Sequence, residues 1–193
     1  MTTNGPLRVA VTGTPGTGKT TATDRLRDRF DAGGFSELGV DSVDVVHLND
    51  VVQDEELYDD VDEARDSVVV DLDALAGWVD EYVAESDASV VVLDSHLAHH
   101  LDADRVVVLR CRPETLEERL RERGEPATKA AENAESEALD VVLGESVDAH
   151  GTESVYEIAT TDQGPDEVAD AIATVLTGDR EPSAGTVDYI EYL

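Results

Sequence analysis

Short apolar runs alternate with longer helical patterns along the chain. Five runs are rich in β-branched residues and nearly continuous in hydrophobicity, namely residues 7–12, 43–48, 89–94, 105–110 and 154–160. Such runs are typical of buried parallel strands. Between and after them, apolar residues recur at helical spacing at Leu72, Leu75, Val79 and Val83, at Leu116 and Leu120, and at Val168, Ala171, Ile172, Val175 and Leu176. This alternation predicts an α/β fold with a parallel sheet covered by helices on both faces.

Two segments are ambiguous from their pattern. Residues 67–72 fit either a short strand or the start of the helix that follows. Residues 178–193 mix helix breakers with a short apolar end, so this C-terminal tail is either loose or docks its tyrosines. Because 193 residues suffice for one full hydrophobic core, we predict a single domain over residues 1–177 followed by this tail.

A phosphate-binding motif follows the first predicted strand. Gly13, Gly18, Lys19 and Thr20 fit the pattern GxxxxGKS/T, directly before a helical segment. In such a loop the backbone amides point at phosphates, and the helix N-terminus adds positive charge. We expect Lys19 to reach the β- and γ-phosphates of ATP and the Thr20 hydroxyl to bind Mg²⁺. The glycines that allow this turn are Gly13, Gly16 and Gly18, and the nucleotide-binding segment ends at Thr21. The alternative, a glycine-rich turn with an unrelated lysine, does not explain the strand and helix on either side.

An acidic residue ends the third predicted strand. Asp94 is placed as a second Mg²⁺ ligand usually is, although an aspartate there also serves as a simple loop cap. His96, two residues later, is a candidate for positioning water or tuning the γ-phosphate. The other histidines are interpreted as solvated, and their spacing does not indicate a zinc site; they are His47, His99, His100 and His150.

Arginines supply a third candidate component. Arg119 and Arg123 are four residues apart on a predicted helix and share a face. They are candidates for closing over a transferred phosphoryl group, the alternative being ordinary surface pairing with Glu118, Glu122 or Glu125. Gly124 and Pro126 break the helix directly afterwards, where a mobile lid would hinge.

The charge balance bears on partners and location. The chain has 45 acidic and 14 basic residues, for a net charge of −31. We interpret this mainly as adaptation to a salt-rich cytoplasm, with an acidic face for a basic partner as the alternative. The balance opposes direct DNA binding. Cys111 is the only cysteine, and there is no long apolar run, so we expect a soluble cytoplasmic protein that does not associate with membranes.

Together these motifs resemble the P-loop nucleoside-monophosphate (NMP) kinases. More narrowly, they resemble the adenylate kinase isoenzyme 6 group, also called the coilin-interacting nuclear ATPase family, in an archaeal form. The segments that carry the resemblance are GTPGTGKTT (13–21), LNDVVQDEELYD (48–59), DSH (94–96), ERLRERG (118–124) and KAAENAESE (129–137). The resemblance implies a five-stranded parallel core, an NMP-binding segment around residues 47–70 and a small lid around residues 123–133. It also implies adenylate kinase activity with ATPase activity, and a role in small-ribosomal-subunit maturation through a basic ribosomal protein of the S11 type.

One position departs from that family. Gln53 stands where the family usually has an arginine before its EE pair, and Arg65 is the only lysine or arginine between Arg29 and Arg105. An acceptor phosphate is best recognised by arginine forks, so the acceptor site is short of charge unless Arg65, Arg110 or salt supplies it. Two hypotheses follow. In one, the protein transfers phosphate from ATP to AMP bound near residues 50–65; in the other, it is an ATPase switch that binds a basic ribosomal protein, with His96 helping water to attack.

Overall fold

The computed structural model describes residues 5–33, 39–62 and 67–193. Its strands are β1 Leu7–Thr12, β2 Val43–His47, β3 Tyr58–Asp62, β4 Ser67–Val70, β5 Val90–Asp94, β6 Arg105–Arg110 and β7 Val155–Ala159. Its α-helices are α1 Lys19–Asp31, α2 Leu48–Asp54, α3 Leu72–Glu85, α4 Pro113–Glu122, α5 Ala127–Ala138, α6 Val141–His150 and α7 Pro165–Thr177.

The main sheet has five strands in the order β2-β5-β1-β6-β7, and every pairing is parallel. This confirms the predicted parallel α/β fold, and each predicted strand lies within a residue of its observed bounds. The ambiguous segment 67–72 contains both of the elements that its pattern allows. It forms strand β4, which pairs antiparallel with β3, and it then enters helix α3 at Leu72.

Helices cover both faces of the main sheet, as predicted. Side chains alternate along a strand, so Val9 and Val11 of β1 join the apolar core beneath α1 and α7. Ala10, between them, joins the core on the opposite face, beneath α2, α3 and α6. A third, smaller cluster joins α4 to α5 through Leu116, Leu120 and Ala130.

Two sequence signals place the ends of the helices. Asp71 caps α3 by accepting a hydrogen bond from the amide of Ala74 at 2.9 Å. Gly164 precedes α7, and its amide donates to Glu167 at 2.7 Å. Pro165 at the first position of α7 has no amide hydrogen that would go unpaired there.

Among the described residues, no helix combines the length and apolar character that crossing a bilayer requires.

The C-terminal tail, residues 178–193, docks on the sheet. The amide of Ser183 donates to the carbonyl of Val155 at 3.0 Å. The Tyr189 ring lies 5.4 Å from the guanidinium carbon of Arg110, and the Tyr192 hydroxyl donates to Glu117 at 3.1 Å. Of the two alternatives for the tail, the structure therefore has the docked one.

The topology brings the candidate motifs together. Strands β1 and β5 are parallel neighbours, with Val11 paired to Asp94. Their carboxyl ends therefore meet at one edge of the sheet, where ligands of open α/β sheets bind. The glycine-rich loop follows β1 and the DSH segment follows β5, so the two motifs lie side by side.

Candidate functional site

The glycine-rich loop, residues 13–18, joins β1 to α1 in a conformation that other residues would strain. Gly13 has φ +139°, and a Cβ on it would lie 2.5 Å from the carbonyl oxygen of Leu109. Gly16 has φ +94°, and a Cβ there would lie 2.9 Å from a methyl carbon of Leu116. The first amides of α1 have no partner within the helix, so this end of α1 favours an anion.

Lys19 lies across this loop. Its side chain is buried, and Nζ donates to the carbonyl oxygens of Gly13 at 2.7 Å and Thr14 at 3.1 Å. Burial lowers the pKa of Lys19 to about 8, against the opposing effect of the Asp94 and Glu137 carboxylates. The ammonium therefore stays largely charged at neutral pH, and a phosphate in the loop could replace the two carbonyl acceptors.

Asp94 is buried at the end of β5, beside α1. Its Oδ2 accepts from Thr23 at 3.3 Å and is 2.7 Å from Nδ1 of His47. Its Oδ1 is buried and has no hydrogen-bond partner among the described residues. A buried carboxylate oxygen without a partner is costly, and a hydrated Mg²⁺ would satisfy it. The Thr20 hydroxyl, on the exposed first turn of α1, offers a further oxygen.

The loop is flanked by two cavities. One, of about 200 Å³, is lined by Lys19, Thr20, Asn49, His96 and Arg123, together with loop residues. The other, of about 170 Å³, is lined by Arg119, Thr160, Gln163, Pro165 and Val168, among others. Gly16, Gly18, Thr21 and Arg123 line both cavities. The loop thus separates two compartments, and Arg123 borders each.

His96 lines the first of these cavities. Burial and the neighbouring charge of Lys19 lower the pKa of His96 to about 4. The imidazole is therefore neutral at physiological pH and can accept a proton or a hydrogen bond. Asn49 lies beside it and accepts from the Ser95 hydroxyl at 3.0 Å, which fixes this wall of the cavity.

The two candidate arginines lie at the end of α4. Arg119 is half-buried, and its Nη1 is 3.4 Å from the sulfur of Cys111. Arg123 follows the last residue of α4 and is exposed. Within the described part of the chain, neither forms an ion pair, and the alternative pairing with Glu118, Glu122 or Glu125 is not observed. Their neighbours pair instead, Arg121 with Glu117 and Lys129 with Glu125.

Two residues at this edge form contacts that the sequence does not predict. His47, which the sequence groups with the solvated histidines, instead bridges Asp94 and Asp24, the latter at 3.2 Å. Glu137, at the end of α5, accepts from the Thr14 hydroxyl of the loop at 2.5 Å. These contacts join residues that are far apart in the chain, so only the fold reveals them.

The sequence left Arg65, Arg110 or salt as sources of positive charge for the acceptor phosphate, and the structure excludes Arg110. Arg110 is buried and surrounded by Glu137, Asp140 and Glu157, so it cannot supply free charge to an acceptor. Arg110 therefore does not serve the acceptor site, because its side chain points from β6 into this buried group of carboxylates. Gln53 is exposed on α2, and Arg65 lies outside the described residues.

Similarity to known proteins agrees with this geometry. The sequence profile of a family described as an AAA domain matches residues 9–140, which is more than half of the chain. The chain belongs to this family. Its curated relatives include archaeal proteins named "Putative adenylate kinase". Those of Natronomonas pharaonis and Halobacterium salinarum are each 56% identical, over 97% of this chain and 100% of the relative. That of Methanocaldococcus jannaschii is 38% identical, over 96% of this chain and 94% of the relative.

Solved structures share the fold at low identity. A shikimate kinase from Bacteroides thetaiotaomicron matches with a TM-score of 0.57 and 18% identity, over 89% of this chain and 98% of that one. A sugar kinase from Janibacter sp. HTCC2649 matches with a TM-score of 0.51 and 18% identity, over 94% of this chain and 99% of that one. At such identity these matches show the P-loop kinase fold and no more.

Proposed function

We propose that the protein is an ATP-dependent NMP kinase of the adenylate kinase type, which transfers the γ-phosphoryl group of ATP to AMP. The observation that carries this proposal is the cavity where Lys19, Thr20, Asn49, His96 and Arg123 converge beside the glycine-rich loop. A cation, a hydroxyl and an exposed arginine meet there, as phosphoryl transfer requires. The relatives named "Putative adenylate kinase" support the same activity.

In this proposal ATP lies across residues 13–21, with its phosphates on the loop amides and Lys19. Thr20 and Asp94 would hold Mg²⁺, either directly or through water; Mg²⁺ supplies neutralisation of phosphate charge. Arg119 and Arg123 would contact the phosphoryl group in transfer. A phosphate oxygen of AMP forms the new bond to the γ-phosphorus while the bond to the β,γ-bridging oxygen breaks, and two molecules of ADP result.

A second activity, ATP hydrolysis, is favoured by the neutral state of His96. AMP attacks through an oxygen that carries no proton, so transfer to AMP needs no general base. Water must lose a proton, and a neutral imidazole at the cavity wall can accept it. Gln53 in place of an arginine would also weaken acceptor binding relative to the family pattern. We include ATPase activity in the proposal for these reasons.

³¹P NMR of the reaction mixture, at one fixed, high KCl concentration, distinguishes phosphoryl transfer to AMP from ATP hydrolysis. Transfer to AMP yields ADP without inorganic phosphate, whereas hydrolysis yields ADP and phosphate in equal amounts. We expect AMP to accelerate ADP formation without matching phosphate release. Lys19→Ala, which removes the point charge on the phosphates, should abolish both activities while the far-UV circular dichroism is unchanged.

Two outcomes would contradict this assignment. Equal release of phosphate and ADP, with no response to AMP, would make the protein an ATPase rather than a kinase. Near-normal turnover by Lys19→Ala would place the active site elsewhere.

The narrower resemblance to the adenylate kinase isoenzyme 6 group adds a partner to the proposal. A basic small-subunit ribosomal protein of the S11 type would meet a surface whose chain carries a net charge of −31. The same charge, with relatives in halophilic archaea, supports adaptation to a salt-rich cytoplasm. Co-purification of the tagged protein with that ribosomal protein at physiological salt, lost in the absence of ATP, is the expected result.

A further inference from the structure

Two adjacent histidines and a glutamate form a cluster outside the proposed active site. His99 and His100 end the short 3-10 turn of residues 98–100 after β5, and Glu145 lies on α6. Their nearest ligand atoms all lie within 4.8 Å of one another. His99 is buried, while His100 and Glu145 are exposed. The spacing of the histidines indicates no zinc site, yet the fold brings these three side chains together.

The hydrogen bonds around His99 leave one ring nitrogen for a ligand. Its Nδ1 is 2.9 Å from the hydroxyl of Thr12, the last residue of β1. That hydroxyl also lies 3.3 Å from the carbonyl oxygen of His96, to which it can donate. It then accepts from Nδ1–H of His99, and Nε2 carries the lone pair. This Nε2 is 3.0 Å from Oε2 of Glu145.

In that tautomer, Nε2 of His99 and Oε2 of Glu145 are both acceptors, and they repel each other at this distance. A cation bound by both atoms would remove the repulsion. Burial favours the neutral imidazole, since it lowers the pKa of His99 against the opposing effect of Glu145. In the opposite tautomer, Nε2–H simply donates to Glu145 and no cation is needed. The two arrangements therefore predict different behaviour toward metal ions.

We propose that His99, His100 and Glu145 bind a divalent transition-metal ion, with Zn²⁺ the best match to the donor set. Two imidazoles and one carboxylate suit Zn²⁺, whereas Mg²⁺ prefers oxygen ligands in an octahedron. Three protein ligands leave a fourth position for water. His100 also lines a wide surface groove of about 1030 Å³, so the site is open to solvent.

The ion would connect three parts of the fold. His99 and His100 belong to the segment that follows Asp94, Glu145 belongs to α6, and Thr12 immediately precedes the glycine-rich loop. His150 strengthens this junction, because its Nε2 is 2.8 Å from the carbonyl oxygen of His99. Zn²⁺ should therefore stabilise the folded chain through binding linkage.

The test is isothermal titration of the metal-free protein with ZnCl₂, in high KCl with excess Mg²⁺ to suppress binding to surface carboxylates. We expect one Zn²⁺ per chain and a rise in the thermal midpoint. His100→Ala and Glu145→Gln each alter an exposed side chain, so both variants should fold. Each should weaken Zn²⁺ binding by at least about tenfold. Glu132→Gln, an exposed carboxylate on α5, is the matched control and should bind as the unaltered protein does.

The proposal fails if the unaltered protein shows no one-to-one Zn²⁺ binding under these conditions. It also fails if His100→Ala and Glu145→Gln bind Zn²⁺ as tightly as Glu132→Gln does. Co²⁺ provides an independent readout. Visible absorption bands of tetrahedral Co²⁺ should appear with the unaltered protein and with Glu132→Gln, and should be lost in His100→Ala.

Discussion

Arg119 and Arg123 occupy different environments although they lie one helical turn apart. Arg119 is held half-buried beside the sulfur of Cys111. Arg123 is exposed, has no ion pair within the described residues and borders both cavities beside the loop. Its positive charge also contributes to lowering the pKa of Lys19, which places the two cations near each other. Of the two arginines, Arg123 is therefore free to move onto a phosphoryl group.

Replacing Arg123 should affect the rate more than nucleotide binding. We expect Arg123→Ala to lower kcat by about 100- to 1000-fold, because its contact strengthens as charge develops on the transferred group. The ATP dissociation constant, measured with a fluorescent analogue, should change by less than about tenfold. Arg121→Ala is the matched control, since Arg121 is exposed on the same helix and paired with Glu117. Equal losses in kcat and ATP affinity would make Arg123 a simple binding residue.

The sequence predicts those site residues whose chemistry is local. Lys19 and Thr20 follow from the loop motif, and Asp94 follows from its place at the end of a buried strand. His47 and Glu137 could not be predicted, because they act through contacts with Asp94 and Thr14 that arise only when the sheet assembles. A histidine or glutamate in isolation has the same sequence signal whether it is solvated or buried.

At the scale of elements, α5 is tied directly to the glycine-rich loop. The Glu137 carboxylate is buried near the end of α5, accepts from the Thr14 hydroxyl, and also accepts from Arg110 Nε at 2.8 Å and the Cys111 amide at 3.1 Å. The segment predicted as a lid, residues 123–133, includes the first half of this helix. A movement of α5 would therefore change the loop as well.

A double-mutant cycle tests this connection. Thr14→Val should weaken ATP binding about tenfold, because it removes a charge-assisted hydrogen bond that positions the loop. Combining it with Glu137→Gln should give less than the sum of the two single effects, with a coupling of about 0.5–3 kcal/mol. Thr177→Val is the control, since its hydroxyl donates at 2.7 Å to the carboxylate of Asp179, just after α7 and outside this cluster. If Thr14→Val and Thr177→Val affect ATP binding equally, Glu137 does not position the loop.

Elements with a strong pattern of apolar residues are predicted well from the sequence, and elements with a weak apolar pattern are not. The five buried strands have continuous apolar runs, so their bounds agree closely with the structure. Strand β3 has the sequence YDDVD, whose acidic residues give no strand signal, and it forms through pairing with β4. Helix α5 is rich in alanine and glutamate and has no large apolar residue, and it packs through small residues such as Ala130 and Ala134.

At the scale of the whole molecule, the acidic excess includes an internal charge cluster. The Arg110 guanidinium is buried against Glu137, Asp140 and Glu157, with Nη1 2.5 Å from Glu157. Burial alone would lower the pKa of Arg110, but the surrounding carboxylates raise it well above its ordinary value. The cluster joins β6, β7 and α5, so it connects the sheet to the helix that contacts the loop.

The C-terminal tail completes this cluster, and its removal should destabilise the protein. The amides of Thr186 and Val187 donate to the second oxygen of Glu157, at 2.6 Å and 3.3 Å, and Tyr189 covers Arg110. Deleting residues 184–193 removes these donors and admits water to a buried ion cluster. We expect the free energy of unfolding to fall by about 3 kcal/mol, on the order of two charge-assisted hydrogen bonds.

The measurement is urea denaturation at one fixed KCl concentration, since salt changes the stability of so acidic a chain. Deleting only residues 191–193 is the matched control, because it leaves Thr186, Val187 and Tyr189 in place. It removes the contact of Tyr192 with Glu117 and the 3-10 turn of residues 190–192. This shorter deletion should cost less than about 1 kcal/mol, the net value of one ordinary hydrogen bond. Equal stability of the two deletion variants would mean that the tail rests on the cluster without supporting it. A larger loss in the longer deletion would show that the tail forms part of the folded core, because the carboxylate it satisfies is fully enclosed.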